Sequence, residues 1–408
     1  MSKLTVKLKQ HTPLIHFQHE QEGATLRASE VKPKLDRFIL ARLGKGDREA
    51  GIKDAEDKGW LVGSGQHPAL DYKMKFIISE KPKISIINEV AKDRSGQVEV
   101  RMRPSDKKII NKLKPYPLFF ANMDADNEDP SEYKCFSFLN KQFEMQLFSF
   151  KSDLIEYLIS LKTEGEKLNL FADFFQRHNF GTRQSKGFGS FYIDKEDSLY
   201  EEIDLKYRFS IDFDRNLIWK DLFDPIDLLY KSLRGGITEF RGGTKKLRPA
   251  ISIYAENQNQ SWDKDLIKSV LFERGRARSG YLFKEMLGLS TNENWIKQLA
   301  IVTKSHKDKV IERFKSPIFI KPIQEDGSVN VFIDSEKINP KYCEKLFIVS
   351  NRNNSIEMST LSSDKKTNPH FDLDEFLEFA LLDMDLKTIE EKFSSLAQIY
   401  KKIRRGHE

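Results

Sequence analysis

Residues 3–10, KLTVKLKQ, set Leu4, Val6 and Leu8 on one side and lysines on the other. This is the period-two pattern of a half-buried strand, and a Thr12-Pro13 break ends it. The stretch TLRASEVKPKLDRFILARL then changes to a helical period and predicts a helix around 28–43. Ser29 is its expected N-cap, and Pro33 is expected only in the first turn. Residues 44–70 are glycine-rich, charged and aperiodic, and read as a long loop. Strands are expected at 73–80, 83–90 and 114–123, then an acidic loop, DADNEDPSEYK, then a strand over 135–150. Helices at 152–161 (Ser152 as a cap) and 166–177 lead into GTRQSKGFGSF, residues 181–191, and the strand FGSFYI.

The second half reads as a strand at 206–213, a helix at 219–233 after a turn near Pro225, and a strand in LRPAISIYAE. A helix in WDKDLIKSVLF follows. Residues 316–322 and 329–334 form a strand pair turned at Asp326-Gly327, and LFIVS is a further strand. Residues 353–371 read as a loop, and FDLDEFLEFALLDM and KTIEEKFSSLAQIYKKI as closing helices. The order in each half, stripped of insertions, is βαββαβ. The expected fold class is therefore α+β: two ferredoxin-like or RRM-like domains with long insertions and a C-terminal helical segment. The boundary is placed in DKEDSLYEEID, giving domains 1–202 and 203–408.

Size agrees, because 408 residues are too many for one ordinary core. Charge does not point to a uniformly basic molecule: 68 Lys and Arg against 62 Asp and Glu leave only +6, so any anion-binding face must be local. Cys135 and Cys343 are the only cysteines, which excludes a disulfide framework and a cysteine-built zinc site. No signal-peptide core precedes the first strand, and no window approaches ~18 consecutive apolar residues. A soluble, cytoplasmic protein is expected, without membrane contact.

The loop at 181–191 carries the chemistry. It is neither a Walker motif, since Lys186 precedes Gly187, nor a dinucleotide fingerprint, since a strand follows it. Gly187-Phe188-Gly189 allows a close backbone approach, its N–H groups suit an anion, and Arg183 and Lys186 add charge. Phe188 either stacks on a base or packs beneath the loop. The plain alternative is a tight helix-to-strand turn whose cations face water.

A glycine-rich basic loop between the second helix and fourth strand of such a domain resembles the RAMP proteins of CRISPR systems. LKQHTPLI followed by TLRASEVKPKLDRFI resembles the opening of that superfamily. EMLGLSTNEN with ERFKSPIFIKPI is similar to a region of the large Cmr-type subunit of type III-B complexes. The resemblance implies a subunit of a type III effector complex in antiviral defence, with guide RNA, other effector subunits and target RNA as partners and no cofactor. One departure is that the loop's arginine-rich form is reduced to Arg183, Gln184 and Lys186.

The RNA-binding candidates are then Arg183, Gln184, Ser185, Lys186, Gly187, Phe188 and Gly189 in the loop, and Arg27, Lys32 and Lys34 on the first helix. A second flexible basic stretch, LRGGITEFRGGTKKLR, adds Arg234, Arg241, Lys245, Lys246 and Arg248; its plain alternative is a solvated hairpin. In ERGRARSG an extended backbone would project Arg274, Arg276 and Arg278 to one side, to follow phosphates. No catalytic residue is assigned. The weak candidates are His16 and His19, near His11, for a metal-independent endoribonuclease that processes precursor CRISPR RNA. Asp124, Asp126 and Asp129 cluster too densely to single one out, and His178 suits a helix C-terminus. No metal-ligand spacing is present.

Overall fold

Leu4, Val6 and Leu8 are buried as the alternation requires, and each faces an apolar partner: Leu147, Met145 and Phe143 on the adjacent antiparallel strand. The computed structural model describes residues 1–15, 24–63, 68–86, 135–161, 168–213, 217, 219–239, 244–277 and 279–407, with short pieces between 88 and 115. The architecture is mixed α+β. The chain forms two compact units, residues 1–205 with 321–329, and residues 206–320 with 330–408.

The first unit runs β1 (Ser2–Gln10), α1 (Ala28–Leu43), α2 (Arg48–Asp57), β2 (Lys73–Ile77), β3 (Lys83–Ile86), β4 (Cys135–Phe138), β5 (Phe143–Ser149), α3 (Ser152–Ser160), α4 (Leu170–Gln176) and β6 (Phe191–Ile193). Its main sheet has the order β6-β1-β5-β2, every neighbouring pair antiparallel. Val31, Leu35 and Ile39 of α1, Leu154 and Leu158 of α3, and Phe171, Phe174 and Phe175 of α4 are buried side chains of its core. β3 and β4 pair separately, so the strand expected over 135–150 is two strands.

Three expectations need correction here. The loop assigned to 44–70 contains α2, capped by Asp47, whose side chain accepts the Glu49 and Ala50 N–H groups. Gly51 hid that helix in the sequence. It sits against the Leu40 carbonyl, where any Cβ would overlap, so the glycine marks close helix packing rather than a break. Ser29 is not the cap of α1; Arg27 holds that position without a side-chain bond. Pro33 lies in the second turn and not the first. Pro33 offers no N–H to the Ser29 carbonyl, and Ser29 is exposed.

From residue 206 on the chain forms β7 (Tyr207–Asp212), α5 (Trp219–Arg234), β8 (Ile237–Glu239), β9 (Lys245–Leu247), α6 (Ala250–Asn257), α7 (Asp263–Phe272), β10 (Ser279–Tyr281), β11 (Asn292–Trp295), β12 (Ala300–His306), β13 (Ile318–Glu325), β14 (Ser328–Ser335), β15 (Leu346–Ser350), β16 (Ser355–Ser359), α8 (Leu373–Glu378), α9 (Leu386–Lys392) and α10 (Ser394–His407), all in the second unit except residues 321–329 of β13, β14 and their turn, which count with the first. One sheet has the order β7-β14-β13, with three strands among the described residues. A second, five-stranded sheet, β10-β16-β15-β12-β11, interrupts the plan and was not expected. LRPAISIYAE is a helix, not a strand: Pro249 starts it, and Ala250, Ile251, Tyr254 and Ala255 bury one helical face at i, i+1, i+4 and i+5. The loop read at 353–371 contains β16. The C-terminal helices are present, and no helix among the described residues is long and apolar enough to cross a membrane.

Candidate nucleic-acid interface

The glycine loop is built around the break after β1. Residues Gln184–Lys186 form a single 3-10 turn, entered from Arg183 and left through Gly187, both in the left-handed region (φ +58° and +84°). Gly181 and Gly189 also have positive φ, at +75° and +64°. A Cβ at Gly189 would overlap the Phe180 carbonyl, and one at Gly181 the Ile15 carbonyl. The loop lies along residues 11–15: Thr182 N–H donates to the Ile15 carbonyl at 2.8 Å and Gly189 N–H to that of Pro13 at 2.8 Å. Thr12 ties the far end, its hydroxyl donating to the Gly187 carbonyl (2.6 Å) and accepting the Ser190 N–H (2.8 Å). The Thr-Pro pair thus serves as the cradle of a loop about 175 residues later.

Helix α1 holds the other side. Glu30 accepts the Gly181 N–H at 2.6 Å. The Lys34 ammonium donates to the Asn179 carbonyl (3.2 Å) and the Gln184 side chain (3.1 Å), and lies 3.5 Å from Glu30. Those three oxygens match its three N–H groups, so Lys34 positions the loop instead of offering a free charge. Lys32 is committed likewise, to buried Asp36 at 2.7 Å and the Leu70 carbonyl at 3.0 Å, over the Tyr72 ring. Arg27 is half-buried at the start of α1.

The loop has two halves. Thr182 to Lys186 are half-exposed, which leaves Arg183, Gln184, Ser185 and Lys186 partly at the surface, whereas Gly187 to Ser190 are buried. Phe188 is fully buried, so of its two options it takes packing beneath the loop, and base stacking through its ring is excluded. His178 lies two residues past the end of α4, with Nδ1 2.7 Å from the Phe174 carbonyl and its ring stacked on Phe174.

Below lies a lysine that periodicity did not single out. Lys321, in the apolar run IFIKPI, is fully buried and donates to the His178 carbonyl (2.9 Å), the Asn179 side chain (3.2 Å) and the Phe191 carbonyl (2.8 Å). Burial pushes its pKa well below the ordinary lysine value. The signal in the sequence was a single charge inside an otherwise apolar strand. His11 is also buried, and its pKa is pushed down by burial and by Lys321. Its Nδ1 accepts the Gln324 N–H at 3.0 Å, which places the proton of the neutral ring on Nε2. His11 is therefore an internal packing group, out of reach of a surface phosphate.

The remaining candidates scatter. His16, His19, Arg241, Arg278, Asp124, Asp126 and Asp129 lie outside the described residues. β8 and β9 form a hairpin with Lys245 and Lys246 exposed, and Arg248 makes a bidentate pair with Glu256 at 2.5 and 3.0 Å. Arg234 turns inward to the Gly288 carbonyl (2.6 Å) and buried Glu285 (3.5 Å). Arg274 and Arg276 are exposed, but Arg274 has φ +59°, so the even extended projection expected for the three arginines is broken at its first member.

Arg234 joins a buried ionic cluster. Lys304 bridges Glu285 and Glu293 at 2.8 Å each, and Lys284 pairs with Glu293 at 2.6 Å. Burial alone would raise both carboxylates; Lys304, Lys284 and, for Glu285, Arg234 more than offset it and hold them below their usual range. Asp263, whose Oδ2 accepts the Lys284 N–H at 2.9 Å, is pushed up to about 7 by burial and by Glu285. Among the described residues, no cluster of His, Cys, Asp and Glu could hold a metal ion.

A structured glycine loop, braced by α1 and by the end of β1, thus lies between α4 and β6. The profile of the Cmr1 N-terminal domain matches residues 1–237, and that of the Cmr1 C-terminal domain matches residues 246–405. The chain belongs to the Cmr1 family. Among solved structures, it is similar to the crystal structure of Cmr1 from Pyrococcus furiosus in its apo form, at 12% identity and a TM-score of 0.38, covering 83% of this chain and 90% of that one. A cryo-EM structure of the Type III-B Cmr-beta bound to cognate target RNA matches at 13% identity and a TM-score of 0.32, covering 83% and 96%. None of the curated proteins matches the chain.

Proposed function

We propose that this protein is an RNA-binding subunit of a type III CRISPR effector complex, which grips guide RNA by its backbone in antiviral defence. The observation that carries the reading is the half-exposed face of the loop from Thr182 to Lys186. Its backbone is held rigidly on both sides, and Arg183 and Lys186 sit on it. Family membership supports the RNA partner and the neighbouring subunits. The strand order β6-β1-β5-β2, with the loop between α4 and β6, supports the ferredoxin-like reading, whose βαββαβ sheet runs 4-1-3-2. Contacts through phosphate and ribose make such binding independent of sequence. Within the second unit, exposed Lys245, Lys246, Arg274 and Arg276 are further basic candidates for RNA contact.

The test is RNA binding by the full chain across a salt series. Arg183→Ala with Lys186→Ala should weaken binding of a single-stranded RNA about tenfold and lower the salt slope by about 1–2. Unchanged affinity with an unchanged slope excludes the loop as a phosphate site.

A further inference from the structure

The five-stranded sheet has one face packed and one face open. Trp295, Val302, Lys304, His306, Phe347 and Val349 point into the interior. The alternate positions present a polar row on the other side: Asn292 lies opposite Thr303, and Thr303 opposite Ser350, across β11, β12 and β15. Asn294 and Ile301 form the next pair, and Asn292, Asn294 and Ile301 are exposed.

At the end of this face is a solvent-open concavity of about 1000 Å³, walled by the end of α7 and the turns at 298–300 and 350–354. That volume is at the upper end of the usual range for small-ligand sites. Its chemistry is selective. Six of its fifteen lining residues are Asn or Gln, Arg274 and Arg352 are its charged groups, and none carries a carboxylate. Asn351 is used internally, accepting the Asn353 and Asn354 N–H groups. Asn292, Asn294 and both arginines have exposed side chains that make no hydrogen bond or ion pair among the described residues. Phe272, half-buried and stacked on Trp295, adds an aromatic wall.

Amides present a donor and an acceptor on one rigid plane, which suits the edge of a base. Guanidinium groups suit the phosphate beside it, and an aromatic ring its face. A carboxylate-free lining removes the repulsion a polyanion would meet.

We infer that this concavity is a second RNA subsite, which takes an unpaired nucleotide by its base edge and adjacent phosphate. The inference rests on the RNA-binding reading above and adds to it a contact to a base, separate from the backbone grip of the glycine loop.

The experiment crosslinks the full chain to a single-stranded RNA carrying photoreactive 4-thiouridine and maps the attached peptides. It compares wild type, Asn292→Ala with Asn294→Ala, Arg274→Ala with Arg352→Ala, and the loop variant Arg183→Ala with Lys186→Ala. All four concavity positions are exposed, so folding is preserved. Crosslinks within 292–303 or 350–354 are expected, lost in the asparagine variant, with affinity down about fivefold to tenfold in the arginine variant. RNA that binds both concavity variants as wild type and crosslinks only elsewhere overturns this inference, leaves the loop reading intact and makes the face a protein contact. Crosslinks at the concavity with a loop variant that binds normally sustain it and overturn the loop reading. An absence of any RNA binding overturns both.

Discussion

The Glu30 carboxylate accepts the Gly181 N–H at 2.6 Å, so an acid on the first helix fixes the start of a basic loop 151 residues later. The same carboxylate lies 3.5 Å from Lys34, whose remaining donors hold Asn179 and Gln184. Glu30→Ala removes a charged acceptor from a half-buried N–H and should lower stability by about 1–2 kcal/mol in urea denaturation. Glu30→Gln keeps an acceptor and should cost less.

Gly189 is the least replaceable residue of the loop. At φ +64°, with the Phe180 carbonyl where a Cβ would be, alanine must shift the backbone that carries Thr12 and Ser190. The expected loss is about 2–4 kcal/mol by thermal or chemical denaturation. Gly235→Ala, where nothing lies within 4 Å, is the control and should stay within about 0.5 kcal/mol.

Lys304 is buried between two carboxylates. Lys304→Met leaves Glu285 with the 3.5 Å contact to Arg234 and a 3.8 Å contact to Lys284. It should cost about 3 kcal/mol, because an under-compensated buried charge outweighs the better packing of methionine. Adding Glu293→Gln should recover part of that loss.

The pH dependence follows from Asp263, whose carboxyl is pushed up to about 7 against an ordinary 3.8. A raised carboxyl holds its proton in the folded state after the unfolded chain has released it. Its stabilising contribution is thus present below about pH 4 and is lost as pH rises through about 7. Asp263→Asn should gain on wild type across that window, by at most about 4 kcal/mol. The measurement is the difference between the two proteins in unfolding free energy from pH 4 to 8, which isolates Asp263 from Glu285 and Glu293. A flat difference would show that Asp263 ionises in the fold without cost.

Long elements with clean periodicity were legible. β1, α1 and α5 lie within a residue of their expected spans, since each buries one face at its own period, and the β13–β14 hairpin lies within three residues of its own. Elements whose signal depends on packing were not. Gly51 disguised α2, and Ile251 and Ile253 made α6 look like a strand, although its helical face is what the neighbouring helices bury. The site was legible as a loop and a set of cations, but not in how those cations are spent. The i,i+4 pairs of Lys32 with Asp36 and of Lys34 with Glu30 follow helical spacing, but the further contacts of Lys32 to the Leu70 carbonyl, Lys34 to the Asn179 carbonyl, Arg234 to the Gly288 carbonyl and Arg248 to Glu256 follow no spacing rule, because those partners lie beyond one helical turn.

Sequence alone determined the apolar alternation, the order of the long periodic elements, the position of the glycine loop and its positive charge. These depend on each residue and its near neighbours, where backbone sterics and side-chain period decide the outcome. Tertiary structure decided that Phe188 is core, that Lys321 and His11 are internal, that Thr12 and Glu30 brace the loop, and that an amide-lined concavity opens on the five-stranded sheet. Those outcomes depend on which distant groups share one small volume. A buried polar atom must find a partner there, and chain connectivity does not say which partner it will be.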